Sequence, residues 1–316
     1  MDLNSYKNCH LCPRNCGVDR TKNHNGICGE TATLRIASIG PHYGEEPPIS
    51  GTNGSGTVFF TGCSLRCTYC QNYQISIDGI GEKWEIDKVV RAISFMHIHS
   101  HIHNVNFVTP DHFFPHTIEI VKGVRKKGIK IPILYNTSGY QKISSLRSIE
   151  PYADIYMPDF KYADSKLSLK LSHCDDYPDV TLNAICEMVK QKGFLDTEMG
   201  YPHPAKKGVL VRHLILPDNI ENSKKVLTIL FIEFGRNIPI SLMSQYTPAR
   251  YSKIEFLNRR ITNEEFRQVY EHAQSLGFTN MYVQFPFNFK TEEDKIDFVP
   301  DFKKKKPFKG NRREKC

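Results

Sequence analysis

Residues 57–72 read TVFFTGCSLRCTYCQN, a short and largely apolar run closing on Gly62, then Cys63, Cys67 and Cys70 in the spacing C-x3-C-x2-C. A compact run of this kind predicts a strand covered on both faces, so the three cysteines fall in the loop that follows it. Three thiolates on one short loop can cap three irons of a four-iron cluster and leave the fourth iron without a protein ligand. Inner-sphere chemistry needs such an open position, because a small molecule must bind the metal directly. A structural zinc site wants four ligands and a closed tetrahedron. The competing readings are a zinc-binding loop and a chance triplet; the third cysteine, with Tyr69 just before Cys70, favours the cluster.

Outward from this stretch the chain alternates apolar runs with amphipathic ones. Strands are expected at TVFFTG (57–62), NVNFVT (104–109), IPILYN (131–136), ADIYMP (153–158), GVLVRHL (208–214), IPISLM (238–243) and TNMYVQ (279–284). Between them, Asp87 opens a helix with Ile86, Val89, Val90, Ile93 and Met96 near one face. Pro115 suits a first turn, with Ile118, Val121 and Val124 following and Gly128 as a stop. Thr262 and Glu265 form a capping box, and Gly277 ends that helix. The pattern is α/β: six βα units and a seventh strand, with a parallel order and right-handed crossovers. The simplest assembly is an open or closed barrel, whose working groups gather at the strand C-terminal ends.

Polar residues do gather there. Thr109, Pro110, Asp111 and His112 follow the second strand, and Asn136, Thr137, Ser138 and Gly139 follow the third. Asp159 and Lys161 end the fourth strand two residues apart, on one face if the strand continues. Arg212 lies in the fifth strand and Gln245 follows the sixth.

At Cys63, Cys67 and Cys70 the sequence resembles the radical S-adenosylmethionine superfamily. The resemblance implies a partial (β/α)6 barrel and a [4Fe-4S] cluster whose open iron binds S-adenosyl-L-methionine. It also implies reductive cleavage to a 5′-deoxyadenosyl radical that abstracts hydrogen, with electrons from a donor such as flavodoxin or ferredoxin. Tyr69, Asn136, Ser138, Asp159, Lys161, Arg212 and Gln245 are the implied cofactor-binding residues. The likeness sharpens toward the activating enzymes of pyruvate formate-lyase and their uncharacterised relatives. Their Asp-Thr-Asn-Gly turn is matched by Asn136-Thr137-Ser138-Gly139, their Asp-Leu-Lys by Asp159-Phe160-Lys161, and their fifth-strand Arg by Arg212. Two departures stand out. Their Gly-Gly-Glu after the second strand is replaced by Thr109-Pro110-Asp111. Gly54 and Gly56 precede the triplet without the basic residue of the activase signature. The implied substrate class is a protein glycine; small-molecule and RNA substrates are the alternatives. A rival of another class is a non-catalytic iron–sulfur or zinc protein serving as an electron-transfer or binding module.

Upstream, Cys9, Cys12, Cys16 and Cys28 place four thiols in 20 residues (NCHLCPRNCGVDR, then GICGE). They can close around one metal: zinc and an auxiliary iron–sulfur cluster are both chemically reasonable, and a reducible thiol set is a third option. The organisation expected is a cysteine-rich appendage over 1–50, a core over 51–290 and a basic tail over 291–316.

Of the 316 residues, 40% are hydrophobic and 24% charged, a globular balance. No apolar run approaches the length of a membrane span, and the start MDLNSYKNCHLC has no secretory pattern. Ten cysteines in that context suggest a cytoplasmic, reducing setting. Much of the net charge of +8 sits in Lys303–Lys306, Arg312, Arg313 and Lys315. That reads as a solvated, frayed tail more readily than as a nucleic-acid arm. The histidines of HIHSHIH (97–103) read as a helix end with its loop. Cys174 and Cys186 read as small packing side chains, Cys316 as part of a terminus, and Tyr73, Phe113 and Phe287 as core or pocket lining.

Overall fold

The computed structural model describes residues 1–197, 203–286 and 299–308. Phe287, Arg312, Arg313, Lys315 and Cys316 lie outside the described residues. Ten strands are described: β1 (Arg35–His42), β2 (Ser55–Phe60), β3 (Glu82–Lys83), β4 (Val105–Val108), β5 (Ile133–Thr137), β6 (Ile155–Pro158), β7 (Gly208–Val209), β8 (Val211–Leu214), β9 (Ile240–Met243) and β10 (Met281–Val283). One sheet runs β3-β1-β2-β4-β5-β6-β7 and a second runs β10-β9-β8. From β2 onward every ladder is parallel. Only Leu210 separates β7 from β8, and a parallel bridge between Asp159 and Arg212 carries the row from one sheet into the other. Each of the seven expected runs therefore contributes to a parallel row in chain order, the mixed α/β architecture of a partial barrel. Among the described residues no ladder joins β10 to β2.

The helices follow their sequence signals. Ile86–Ser100 buries Val89, Val90, Ile93 and Met96, and Phe114–Lys126 has its proline in the first turn. Asn263–Leu276 has the full Thr262/Glu265 capping box and ends on Gly277 at φ 78°. Strand alternation sorts the core into two faces. Phe60, Phe107, Tyr135, Tyr156 and Val209 join the large cluster beneath the helices. Leu134, Ile155, Met157 and Leu210 point the other way and pack with Ile49 from the short helix Pro47–Ser50.

Two segments differ from the sequence reading. β1 pairs antiparallel with β2 inside the stretch expected as a cysteine-rich appendage. Its period is hidden because only Ile36 of its eight residues is buried. The C-terminal segment is not frayed over 299–308. Lys303–Lys306 are exposed, but Phe302 is buried, and the rings of Phe302 and Phe308 pack 5.5 and 5.2 Å from Phe59. The Phe302 N–H donates to Gln74 Oε1 at 2.7 Å. Aromatic burial on β2 outweighs the solvation of the lysines between.

Candidate active site

The loop after β2 turns sharply at Gly62 (φ 74°) and at Arg66 (φ 53°). Gly62 has to be glycine: a Cβ there would lie 2.5 Å from Glu30 Cγ and 2.7 Å from the Cys28 carbonyl oxygen. The appendage therefore presses directly on the loop, and the Cys63 N–H donates to the Cys28 carbonyl at 3.0 Å. Arg14 completes the clamp. Its guanidinium donates to the carbonyls of Ser64 (2.9 Å), Leu65 (3.3 Å), Ser172 (2.6 Å) and His173.

Cys63, Cys67 and Cys70 are free thiols, the first two buried and the third nearly so. Each sulfur accepts a hydrogen bond: from the Leu65 N–H to Cys63 (3.4 Å), from the Ser172 hydroxyl to Cys67 (3.1 Å) and from the Ser76 hydroxyl to Cys70 (3.2 Å). Burial, reinforced by the neighbouring Cys67, pushes the thiols of Cys63 and Cys70 up. Thiolate there needs a cation to compensate it. Among the described residues no three His, Cys, Asp or Glu side chains stand in finished metal-ligand geometry. The donor set itself, soft sulfur with a hydrogen bond already aimed at each atom, fits an iron–sulfur cluster.

Across from the loop, Lys161 Nζ pairs with Asp159 Oδ2 at 2.5 Å. Burial alone would lower the lysine pKa, but Asp159 holds it well above its usual range, so the ammonium persists. The Tyr177 hydroxyl fixes this corner: it donates toward the carbonyls of Ser138 and Asp159, both at 2.9 Å, and accepts the Lys161 N–H at 3.0 Å. Gly139 permits the approach, since a Cβ would fall 2.1 Å from the Asp159 carbonyl oxygen. Ser138 Oγ is buried without a partner, and the Asn136 carbonyl accepts the Thr109 N–H at 2.9 Å. Thr109 takes φ 55°, a left-handed conformation rare for a β-branched residue. The backbone shape that glycine favours is thus kept where glycine is absent.

Arg212 does not face an open anion site. It meets Glu45 Oε2 at 3.3 Å and Glu46 Oε1 at 3.0 Å. With Gln245, Ser241 and Tyr282 these residues line a cavity of ≈ 660 Å³. Gln245 is held through Gln284 (3.2 Å) and Gln71 (3.3 Å). Tyr69 is buried, its hydroxyl 3.0 Å from that of Tyr162. The structure thus gathers Tyr69, Ser138, Asp159 and Lys161 near the cysteine loop, while Arg212 and Gln245 line the neighbouring cavity. Asp111 is one of the polar residues expected at the strand ends, outside the implied cofactor-binding set. It is fully buried, takes a hydrogen bond from Gln141 on Oδ1 and has no partner on Oδ2. Burial, then the charge of Asp159, pushes its pKa up to about 7.

In the appendage Cys9, Cys12 and Cys28 are buried and Cys16 partly so. A Cβ on Gly26 would come 3.2 Å from Cys28 Sγ and 3.5 Å from Cys16 Sγ, so those two sulfurs flank one backbone position. Arg20, 1% exposed, donates to the carbonyls of Glu30 (3.1 Å), Thr31 (2.7 Å) and His112 (2.7 Å) and reaches Cys9 Sγ at 3.7 Å. Neither Arg14 nor Arg20 was legible as a site residue, because their partners are mostly backbone oxygens distant in sequence.

Residues 57–202 match the sequence model of the family described as the Radical SAM superfamily. The match covers just under half of the chain and supports the resemblance to that superfamily carried by the cysteine triplet. The uncharacterized protein MJ0674 of Methanocaldococcus jannaschii is 26% identical over 292 residues, covering 88% of this chain and 78% of its own. Among solved structures, Streptococcus suis SuiB is 13% identical over 72% of this chain and 47% of its own, with a TM-score of 0.49, so the chain spans less than half of SuiB's length. The anSMEcpe structure with bound AdoMet is 11% identical over 75% of this chain and 62% of its own, with a TM-score of 0.47. A domain of a pyruvate-formate lyase-activating enzyme from Bacteroides vulgatus is 15% identical over 54% of this chain and 92% of its own, with a TM-score of 0.38.

Proposed function

We propose that this chain is an enzyme that binds S-adenosylmethionine at a [4Fe-4S] cluster held by Cys63, Cys67 and Cys70. When bound, the cluster supplies the electron that cleaves the sulfonium and yields a hydrogen-abstracting 5′-deoxyadenosyl radical. The observation that carries the reading is the loop after β2, where three protected thiols each accept a hydrogen bond. The chain's own residues supply the rest of the site. Asp111 offers an unpartnered carboxylate oxygen for an ammonium group. Lys161, kept charged by Asp159, suits a carboxylate or ribose oxygen. Ser138 and Asn136 offer hydrogen bonds at the end of β5. The buried tyrosines around Tyr69 keep water from a reactive species.

Anaerobic reconstitution with iron and sulfide, reduction with dithionite and assay of 5′-deoxyadenosine test the proposal. Four irons bound at the loop and deoxyadenosine released support it. A cluster that assembles without ever releasing deoxyadenosine, with or without candidate substrates, leaves the non-catalytic electron-transfer module in its place. Within the enzyme reading, activation of a glycyl-radical protein is the finer proposal. It is supported by Asp159-Phe160-Lys161 and Asn136-Thr137-Ser138-Gly139, and it predicts a glycine-centred radical signal on a polypeptide substrate. For the appendage thiols the proposal is a second metal centre, zinc or cluster, next to the buried cation of Arg20.

A further inference from the structure

Ser172 ends the helix Ser165–Ser172, far in sequence from the cysteine loop, yet it is fully buried with Oγ 3.1 Å from Cys67 Sγ. The loop is pinned to this helix end by the Thr68 N–H, which donates to the Leu171 carbonyl at 2.8 Å, and by Arg14 on the Ser172 carbonyl. Behind Ser172 stands Tyr162, fully buried, its Oη 2.7 Å from Ser172 Oγ. Behind Tyr162 stands Tyr69, with the two phenolic oxygens 3.0 Å apart.

Counting protons fixes the direction of this chain. It contains three contacts, Tyr69–Tyr162, Tyr162–Ser172 and Ser172–Cys67, and three hydroxyl protons. A hydroxyl rotates to suit its partners and carries one donor. If Cys67 holds its own proton, the thiol can donate and the chain can run outward from the sulfur. A metal-bound thiolate has no proton to give, so Ser172 must donate to Cys67, and Tyr162 to Ser172, for both of those contacts to be satisfied. Each donation polarises the next, so the last O–H is a stronger donor than an isolated serine. On the other side of the loop Ser76, 6% exposed, makes the matching contact to Cys70 at 3.2 Å.

We propose that Ser172, backed by Tyr162, and Ser76 are positioning residues that raise the reduction potential of the first-loop cluster by donating hydrogen bonds to Cys67 and Cys70. This rests on the cluster reading of Cys63, Cys67 and Cys70. Hydrogen bonds to ligand sulfur withdraw electron density and favour the reduced state. Their burial keeps water from replacing them. The arrangement eases delivery of the electron from a one-electron carrier protein.

The test uses the full chain, reconstituted anaerobically, with the cluster's midpoint potential read by EPR-monitored redox titration and iron and sulfide counted in parallel. Ser172→Ala and Ser76→Ala should each shift the midpoint to more negative potential at wild-type iron content. Tyr162→Phe should shift it in the same direction by a smaller amount, because Ser172 stays but loses its backing donor. Ser172→Thr, which keeps a hydroxyl, should recover most of the shift. If Ser172→Ala fails to hold a cluster, Tyr162→Phe and Ser76→Ala decide. Wild-type midpoints in Ser76→Ala and Tyr162→Phe, with iron retained, overturn the proposal. A wild-type chain that binds no four-iron cluster defeats the cluster reading itself, a separate result.

Discussion

The two cysteine sets lie side by side, joined by the Cys63 N–H to Cys28 carbonyl bond, yet they are furnished in opposite ways. In the loop after β2 the sulfurs accept hydrogen bonds, two of them from serine hydroxyls. In the appendage the Cys16 and Cys28 sulfurs instead approach carbonyl oxygens, those of Cys9 at 3.8 Å and Glu30 at 3.9 Å, and the nearby positive charge is Arg20. At the loop the donors to sulfur are neutral groups, with the Lys161 ammonium nearby, whereas in the appendage the donor to sulfur is itself a buried cation. Dipoles tune a centre finely without fixing its total charge. A buried guanidinium suits a strongly anionic occupant such as a metal with four thiolates.

The sharpest way to break this contrast is to remove one sulfur from each set. Cys67→Ala should abolish iron binding at the loop, whereas Cys16→Ala should leave that iron and its absorbance intact. Equal bleaching in both variants, measured by iron content and visible spectra, would mean the sets are one unit. Next in size, Arg20→Met should destabilise the appendage by roughly 3–5 kcal/mol, since three buried carbonyls lose their donor. Chelator treatment of the wild type should lower its melting temperature in the same region if the appendage holds a metal. A melting temperature unchanged by either would detach Arg20 from any centre there.

Asp111 offers a smaller effect that sharpens the comparison, because burial raises the pKa of both Cys12 and Cys63 and the Asp111 charge adds to it in both sets. Its folded pKa is raised from 3.8 to about 7. The native state therefore binds more protons than the unfolded chain between these values, and stability declines as pH rises from about 4 to about 7. Asp111→Asn should flatten that segment of a denaturant-midpoint profile; an unaltered slope would assign the dependence to another group. Smallest, and remote from both sets, Thr262→Ala should cost about 1 kcal/mol through loss of the helix cap. Iron content should not change, which makes it the control for stability alone.

What could be read in advance follows from how locally each feature is determined. The parallel strands are covered on both faces and announce themselves as apolar runs, and the helix beginning after Thr262 carries its own capping box. The cysteine triplet was legible because its ligands are neighbours along the chain. Glu45, Glu46, Arg14 and Ser172 were not, because their roles depend on residues brought near by folding. Glu45 and Glu46 meet Arg212 across the strand row, and Arg14 meets Ser172 across 158 positions. β1 was missed because a strand with one buried residue in eight has no period to detect.

The packing of Phe302 and Phe308 against Phe59 has a topological consequence. β10 stands at one margin of the parallel row and β2 begins it at the other, with no ladder between them among the described residues. The polypeptide leaves β10 and is next found anchored on β2. The rings of Phe302 and Phe308 seat this segment on the face of β2 that carries Phe59. Truncation before Pro300 would bare the Phe59 face of the row to solvent.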